Sequence, residues 1–496
     1  MRTFEEYLKD SAEVGYVESV ITPLFYVSGL PTIRPKEVVV TENGTRGIVQ
    51  VVLPDLAEVL MLESKSLFHQ EKVARSGETL SIAVSPAMLG RIIDPFGVAI
   101  DGRGPIGGEA TVLPIDRPAP GIIERVKVSE PMETGVAIVD LLIQIGKGQK
   151  ELIAGDQKTG KTTFMLQALD AQSAQGTICI YACVGKRKSD LTYIWEHLKQ
   201  TGSIKNTIIV ASTSSDPAGV IYFSPFVAFS IGEYFRDLGH DVLIAIDDMT
   251  THAKYYREIS LVARKTPGRG SYPGDIFHLQ ARLLERTGRV KIPGDKVASI
   301  TCLPAAETQE GDLTGFIQTN LMAMTDGHIF FDVNELKAGR NPAINSTLSV
   351  TRVGSQTQSQ VQKELKAWIN LRLNEYYRVR ESMSFGVEVP IQYQEAMFLG
   401  QQIEVFFNQD AKVTIPKALQ LVMFGSLYLN FWKGRSLLDT DVIKENIVVA
   451  YKKGLLKSLE AEVLKTKSLK TLSDLLLKYK RGLISLANGN LQQTTA

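Results

Sequence analysis

Apolar residues fall along this chain in three successive regimes, and each predicts a different kind of element. Between Tyr16 and about Leu89 they form short runs, YVESVITPLFYVSG, EVVV, GIVQVVL and LSIAV, broken by Gly, Pro and polar clusters. Several short β-rich runs in so small a span predict a barrel or sandwich. The Asn43–Gly44 pair separates two of them and predicts a tight hairpin in which both central residues take positive φ.

From Gly90 to about Gln360 the apolar runs become continuous: KELIA, TICIYACV, NTIIVAS, DVLIAID, VASITCL and HIFFDV, with helix-length segments between them. Strands without a polar face must be covered on both sides, so this pattern predicts a mostly parallel sheet flanked by helices. Beyond about Gln360 the β-type runs stop. QKELKAWINLRLNEYYRVR places Leu365, Trp368, Ile369, Leu373 and Tyr376 on one helical face, and DVIKENIVVAYKKGLLKSLEAEVLK keeps a similar period. The late apolar stretch from Ala418 to Trp432 is too short to span a membrane and carries Gln420, Gly425, Ser426 and Asn430, so it predicts a buried helix. The expected architecture is multidomain: an N-terminal β-barrel over residues 1–90, a central α/β domain over 91–360 and a C-terminal α-helical bundle over 361–496. The last residues, NGNLQQTTA, read as a frayed end.

Composition narrows the classes of function. The 55 basic and 54 acidic residues leave a net charge of +1, which gives no basic excess and hence no expectation of a nucleic-acid partner. Cys179, Cys183 and Cys302 cannot all pair, and the first two lie inside an apolar strand pattern; they read as reduced, buried thiols of a cytosolic-type compartment. With six scattered histidines and no Cys/His cluster, a structural zinc site has no candidate ligands. The opening MRTFEEYLKDSAEVG is acidic and lacks an apolar core, unlike a secretory signal or an Arg-rich transit peptide.

The chemistry concentrates in GDQKTGKT: Gly155, Asp156, Gln157, Lys158, Thr159, Gly160, Lys161 and Thr162. It lies between the apolar run ELIA and the helical pattern TFMLQALDAQ, and it satisfies GxxxxGK[ST], which average composition produces in roughly 2% of chains this long. Gly155 and Gly160 let the backbone fold so that N–H groups converge on phosphate oxygens, Lys161 adds a point charge, and Thr162 offers a hydroxyl to Mg²⁺. A carboxylate at a strand end would complete a magnesium site. DVLIAIDD supplies Asp247 and Asp248, with Asp247 preferred and acting through water. The strand TICIYACV runs into Gly185, Lys186, Arg187 and Lys188; an ammonium cannot accept a proton from an attacking water. The alternative for this basic run is a solvated turn or a weak localisation signal.

Together with GRIIDPFGVAIDGRGPIGG, the segment from APGIIERV through GDQKTGKT, GSYPGDIFHLQARLLERTGRV, ETQEGDLTGFIQTN, TDGHIFF, NPAIN and SVTRVGS, these motifs resemble the alpha-subunit family of F-type ATP synthases over nearly the whole chain. The resemblance implies a RecA-like P-loop domain that holds Mg-ATP or Mg-ADP without turning it over. It also implies a ring of three such subunits alternating with three beta subunits around a gamma shaft, with the delta subunit and peripheral stalk attached and a membrane ion-translocating sector coupled indirectly. The location so implied is the cytoplasmic face of a bacterial membrane, or the stromal face of an organelle membrane. Catalytic beta types are expected to carry GER where this chain has GKR. In the same reading Arg352 is an arginine finger serving the neighbouring beta site in trans, Ser349 lies close to that site, and Gln409 falls in the adenine-pocket loop. On residue type alone, Arg352 could instead pair with a core carboxylate. The chain departs from the family pattern at Gln157 and Lys158, at Lys186 where Gln is usual, at Arg340 in AGRNPAIN, and in a shorter amino-terminal segment. Two other functions fit the phosphate loop: a self-sufficient homohexameric ATPase of the flagellar-export or Rho type, and a scaffold with a degenerate site.

Overall fold

The computed structural model describes residues 3–384 and 391–489; the end expected to fray lies, from residue 490 onward, outside the described residues. The chain divides into two compact units. One comprises Met1–Lys127, Gly148–Ala154 and Ser173–Asp326, the other Val128–Lys147, Gly155–Gln172 and Gly327–Ala496.

The first unit opens with the helix Phe4–Ser11, whose start is fixed by a reciprocal capping box between Thr3 and Glu6. A closed antiparallel barrel follows. Its strands run in the order Val14–Ile21, Leu24–Ser28, Ala57–Met61, Arg46–Val52, Glu37–Thr41 and Lys72–Thr79, the last pairing back to the first. Val17, Phe25, Val27, Val39, Val49, Val59 and Val73 fill its interior. Two of these strands were not legible as apolar runs. Lys72–Thr79 buries Val73 and Ala74 but is otherwise polar, and Arg75 binds the buried Glu37 on the adjacent strand with two hydrogen bonds of 2.8 and 2.9 Å. The run LSIAV, expected with the barrel, is instead outside it, where Ser81–Val84 pairs with Thr111–Pro114. The Asn43–Gly44 hairpin exists, with a different turn. Of the two residues only Gly44 has positive φ, +75°, and its N–H donates to Thr41 O at 2.8 Å, so the connection is a longer loop closed by one left-handed glycine.

The same unit carries a parallel sheet in the order Ile92–Ile93, Thr207–Thr213, Ile178–Lys186, Val242–Asp247, Lys296–Glu307 and Glu151–Gly155. Five of these are apolar runs of the sequence; Ile92–Ile93 was too short to register. Ile178–Lys186 lies between the neighbours on either side in parallel register, with Cys183 opposite Asp247. The helix Ala218–Asp237 covers it and is almost entirely buried. That helix is long and apolar enough to cross a membrane by composition, but 94% of its most apolar window lies inside the protein. Its Glu233 pairs at 2.8 Å with Arg286, a guanidinium only 1% exposed that also donates to Ile115 O. Cys179, Cys183 and Cys302 are free and buried, and burial pushes the thiols of Cys183 and Cys302 up.

The second unit contains the strand Gly327–Phe331, antiparallel to Val350–Thr351, and the helices that follow Gln360. In Gln360–Ser384 the expected face is turned inward: Leu365, Ile369, Leu373 and Tyr376 are all at most 4% exposed. Trp368 is half-buried, edge-on to Tyr428 with ring centroids 5.4 Å apart. The late apolar stretch becomes the buried helix Lys417–Tyr428. Its Gln420 reaches a polar hub at Asp140, 1% exposed, whose carboxylate accepts from Thr134 N at 2.8 Å, Thr134 Oγ1 at 2.7 Å, Gly135 N at 3.0 Å and Gln420 Nε2 at 2.9 Å. Removing the acceptor leaves several buried donors unpaired. Asp140→Ala is therefore expected to destabilise the helical unit by about 3 kcal/mol, read as an earlier urea midpoint in far-UV circular dichroism; an unchanged midpoint would show the hub to be dispensable.

Candidate functional site

The glycine loop belongs to the second unit. At Gly155 a Cβ would stand 2.5 Å from the backbone oxygen of Phe331, so no side chain fits where the loop leaves its strand. Gly160 takes φ +105°, a conformation that glycine alone adopts without strain, and Lys158 sits in the left-handed region at φ +62°. Thr159 Oγ1 donates to Asp156 O at 2.7 Å and ties the loop across its base. The helix Lys161–Ala174 starts at once, with Phe164 N donating to Gly160 O and the Phe164 ring against Phe331 at 5.8 Å. The Lys161 amine folds back and donates to the carbonyls of Gly155 at 2.7 Å and Asp156 at 2.6 Å. Gln157 and Lys158 are exposed at the tip, and Thr162 is partly exposed on the first turn. A curled loop at a helix start, with its lysine held over it, matches the arrangement that binds phosphate groups.

The carboxylates belong to the first unit. Asp247 ends the strand Val242–Asp247 and is 3% exposed; Asp248 begins the helix Met249–Val262 and caps it, accepting from Thr251 N at 2.7 Å. Their tasks are thus divided: Asp248 serves the helix, and Asp247 is the functional candidate. Asp247 accepts the Tyr181 hydroxyl at Oδ2, 2.8 Å, and the Lys186 ammonium at Oδ1, 2.6 Å. Lys186 also lies 3.3 Å from Asp248 Oδ2. Burial alone would lower the lysine; Asp247 and then Asp248 outweigh it and hold the ammonium above its ordinary value. Tyr181 escaped the sequence reading, although a lone hydroxyl within an otherwise apolar strand was the signal available.

The remaining candidates lie in the second unit. Ser349 Oγ donates to Asn345 O at 2.7 Å and accepts from Phe330 N at 3.0 Å, so its hydroxyl fastens a turn. Gln409 is 4% exposed and fully engaged: its amide donates to Gly135 O at 2.6 Å and to Val413 O, and its oxygen accepts from Ala137 N at 3.1 Å. Arg340 is bound by Glu335 and Glu404 and stacks over Tyr377. Arg352 follows the short strand Val350–Thr351 and is exposed, with no side-chain hydrogen bond or ion pair among the described residues. Among the described residues it does not pair with a core carboxylate.

The family model described as ATP synthase alpha/beta family, nucleotide-binding domain, matches residues 135–351. Proteins named ATP synthase subunit alpha are similar over much more of the chain. That of Dehalococcoides mccartyi is 34% identical over 490 residues, covering 95% of this chain and 94% of its own length. Those of Dictyoglomus turgidum and Thiobacillus denitrificans are 38% and 37% identical, covering 83% and 80% of this chain and 81% and 79% of theirs. The chain belongs to the ATP synthase subunit alpha family. In this alpha-family chain the phosphate loop, Lys186, Asp247 and Ser349 lie inside the span of the nucleotide-binding domain, Arg352 stands one residue past it, and Gln409 is well beyond.

Nucleotide binding by such a domain raises the question of its magnesium. Thr162 has the right oxygen at the right place in the loop. Asp247 does not fit a divalent ion as it is held here, since one oxygen carries an ammonium and the other a phenol. Among the described residues no group of three or more His, Cys, Asp and Glu offers an alternative cage. The Tyr181 bond to a buried, charged acceptor contributes about 1.5 kcal/mol. Tyr181→Phe is expected to lower stability by that amount in chemical denaturation, and a variant as stable as the parent would mean that Lys186 alone satisfies Asp247.

Proposed function

We propose that this chain is a regulatory, nucleotide-holding subunit of the catalytic head of a rotary ATP synthase, and that it completes the active sites of adjacent beta subunits rather than turning over nucleotide itself. The observation that carries the reading is Arg352 in SVTRVGS, exposed and unpaired among the described residues. A guanidinium so placed is available to another polypeptide, where a fixed cation stabilises charge developing on a transferring phosphoryl group. Family membership supports the same reading, and so does the lysine at position 186, where a hydrolytic relative needs a proton acceptor.

On this reading Gly155 to Thr162 cradle the phosphates of ATP or ADP through backbone N–H groups, Lys161 turns from its own carbonyls to the anion, and Thr162 is the ligand for accompanying Mg²⁺. Gln409 acts by holding the loop around Gly135, and Ser349 by shaping the turn that precedes Arg352. The partners are beta subunits in an alternating ring of three and three, the gamma shaft, and the delta subunit with the peripheral stalk. The head is peripheral to the membrane that carries the ion-translocating sector, on its cytoplasmic or stromal face, and makes ATP from ADP and phosphate at the expense of an ion gradient. The boundaries at residues 90 and 360 divide barrel, nucleotide domain and helical bundle.

The test is reconstitution with the cognate beta and gamma subunits. Arg352→Ala is expected to lower ATPase activity of the complex by about 10³ or more while the isolated variant still binds ATP as the parent does. Robust hydrolysis by the isolated parent chain, eluting as a homohexamer, would overturn the proposal in favour of a self-sufficient ATPase.

A further inference from the structure

The short antiparallel ladder that leads to Arg352 has one titratable side chain built into it. His328, in the strand Gly327–Phe331, stands opposite Val350. Residues directly opposite share a face, and so do residues two apart along a strand, so the ladder directs the imidazole and the Arg352 side chain to the same side as diagonal neighbours. The histidine is buried and the arginine exposed. Both belong to the second unit.

What surrounds the ring decides its state. Nε2 lies 2.8 Å from Leu348 O, and since a carbonyl only accepts, Nε2 carries the hydrogen. Nδ1 is then the bare nitrogen of a neutral imidazole, buried and without a hydrogen-bond partner among the described residues. A proton added there creates a dry N–H with nothing to receive it, beside a second cation. Burial pushes the histidine below its ordinary value; the Leu348 carbonyl opposes this and the Arg352 charge adds to it. No other charge acts on the ring among the described residues, and the turn before Val350 offers only the neutral Asn345, Ser346, Thr347 and Ser349.

Acidification therefore has one route open: the protonated ring leaves its slot, and the bond to Leu348 goes with it. Together with the Ser349 hydroxyl, which accepts from Phe330 N and donates to Asn345 O, that bond ties the strand to the turn that leads to Arg352. We propose that neutral His328 is the positioning residue of Arg352: it holds the segment from Leu348 to Val350 in place, so fixing where the guanidinium stands, and lets that segment go when it takes a proton. The inference rests on the role in trans proposed above for Arg352. The finger thus becomes sensitive to acid through a neighbour, although a guanidinium keeps its own charge throughout this range.

Two measurements test it. In the isolated full chain, NMR follows the histidine ring resonances against pH, with His328 assigned by its absence from His328→Gln. The ring is expected to titrate below about pH 6.5 in the parent and at least about 0.3 higher in Arg352→Ala. A His328 that titrates at or above about pH 6.5, or that ignores removal of the arginine, overturns the inference. In the complex reconstituted with the cognate beta and gamma subunits, ATPase activity is measured between about pH 7.5 and about pH 5, on either side of the ordinary histidine value. His328→Ala cannot donate to Leu348 O and is expected to lower kcat about tenfold at neutral pH with KM within about twofold. His328→Gln keeps a donor and does not titrate; it is expected to recover most of that loss and to retain at acid pH at least about threefold more of its neutral activity than the parent does. Equal acid loss in the parent and the glutamine variant overturns the inference while Arg352→Ala remains inactive. An Arg352→Ala complex as active as the parent overturns the role in trans, and the inference with it. If His328→Gln does not fold, His328→Asn replaces it in both measurements.

Discussion

Two adjacent carboxylates at the end of a buried strand cannot both be charged and dry without a cation between them, and the ammonium of Lys186 meets that constraint. Much of the first unit's geometry serves it. The parallel register places Cys183 opposite Asp247, so Tyr181, two residues earlier on the same face, can point its hydroxyl at the carboxylate. The left-handed Gly185 then turns the chain so that Lys186 returns to the same spot. Asp248 shares the charge with the start of a helix, where exposed N–H groups favour an anion. The pair's charge is balanced within the same unit.

The second unit shows a parallel economy of polar groups. Gln409, Ser349 and Asp140 each satisfy backbone groups that would otherwise be buried without partners. Arg340 is caught between two glutamates. Against this background Arg352 stands apart, exposed and without a side-chain hydrogen bond or ion pair among the described residues. The contrast, rather than the arginine alone, is what directs attention outward from the chain.

Most of the architecture was legible in the pattern of apolar residues because continuous runs leave a strand few alternatives. All six runs between Gly90 and Gln360 form strands, and the amphipathic face around Leu365 is buried as its spacing requires. The barrel was harder to read. Lys72–Thr79 has little apolar signal because Glu37, a neighbour distant in sequence, satisfies its arginine, and LSIAV has the pattern of a barrel strand but pairs with Thr111–Pro114. Motif spacing singled out the loop and the two aspartates as candidates. Which aspartate caps the helix, and that Lys186 and Tyr181 occupy the other, depended on register and on one glycine torsion, neither of which a linear sequence displays.

The crowding of Gly155 against the Phe331 carbonyl has a consequence for anyone who would move this loop. The eight residues from Gly155 to Thr162 do not constitute a portable cassette, since their first turn is moulded on a strand about 175 positions later in the chain, and Phe164 leans on the ring of that same phenylalanine. A graft into a foreign scaffold has to bring Gly327–Phe331 with it. The motif that sequence comparison reads as one short word is, physically, half of a two-part joint.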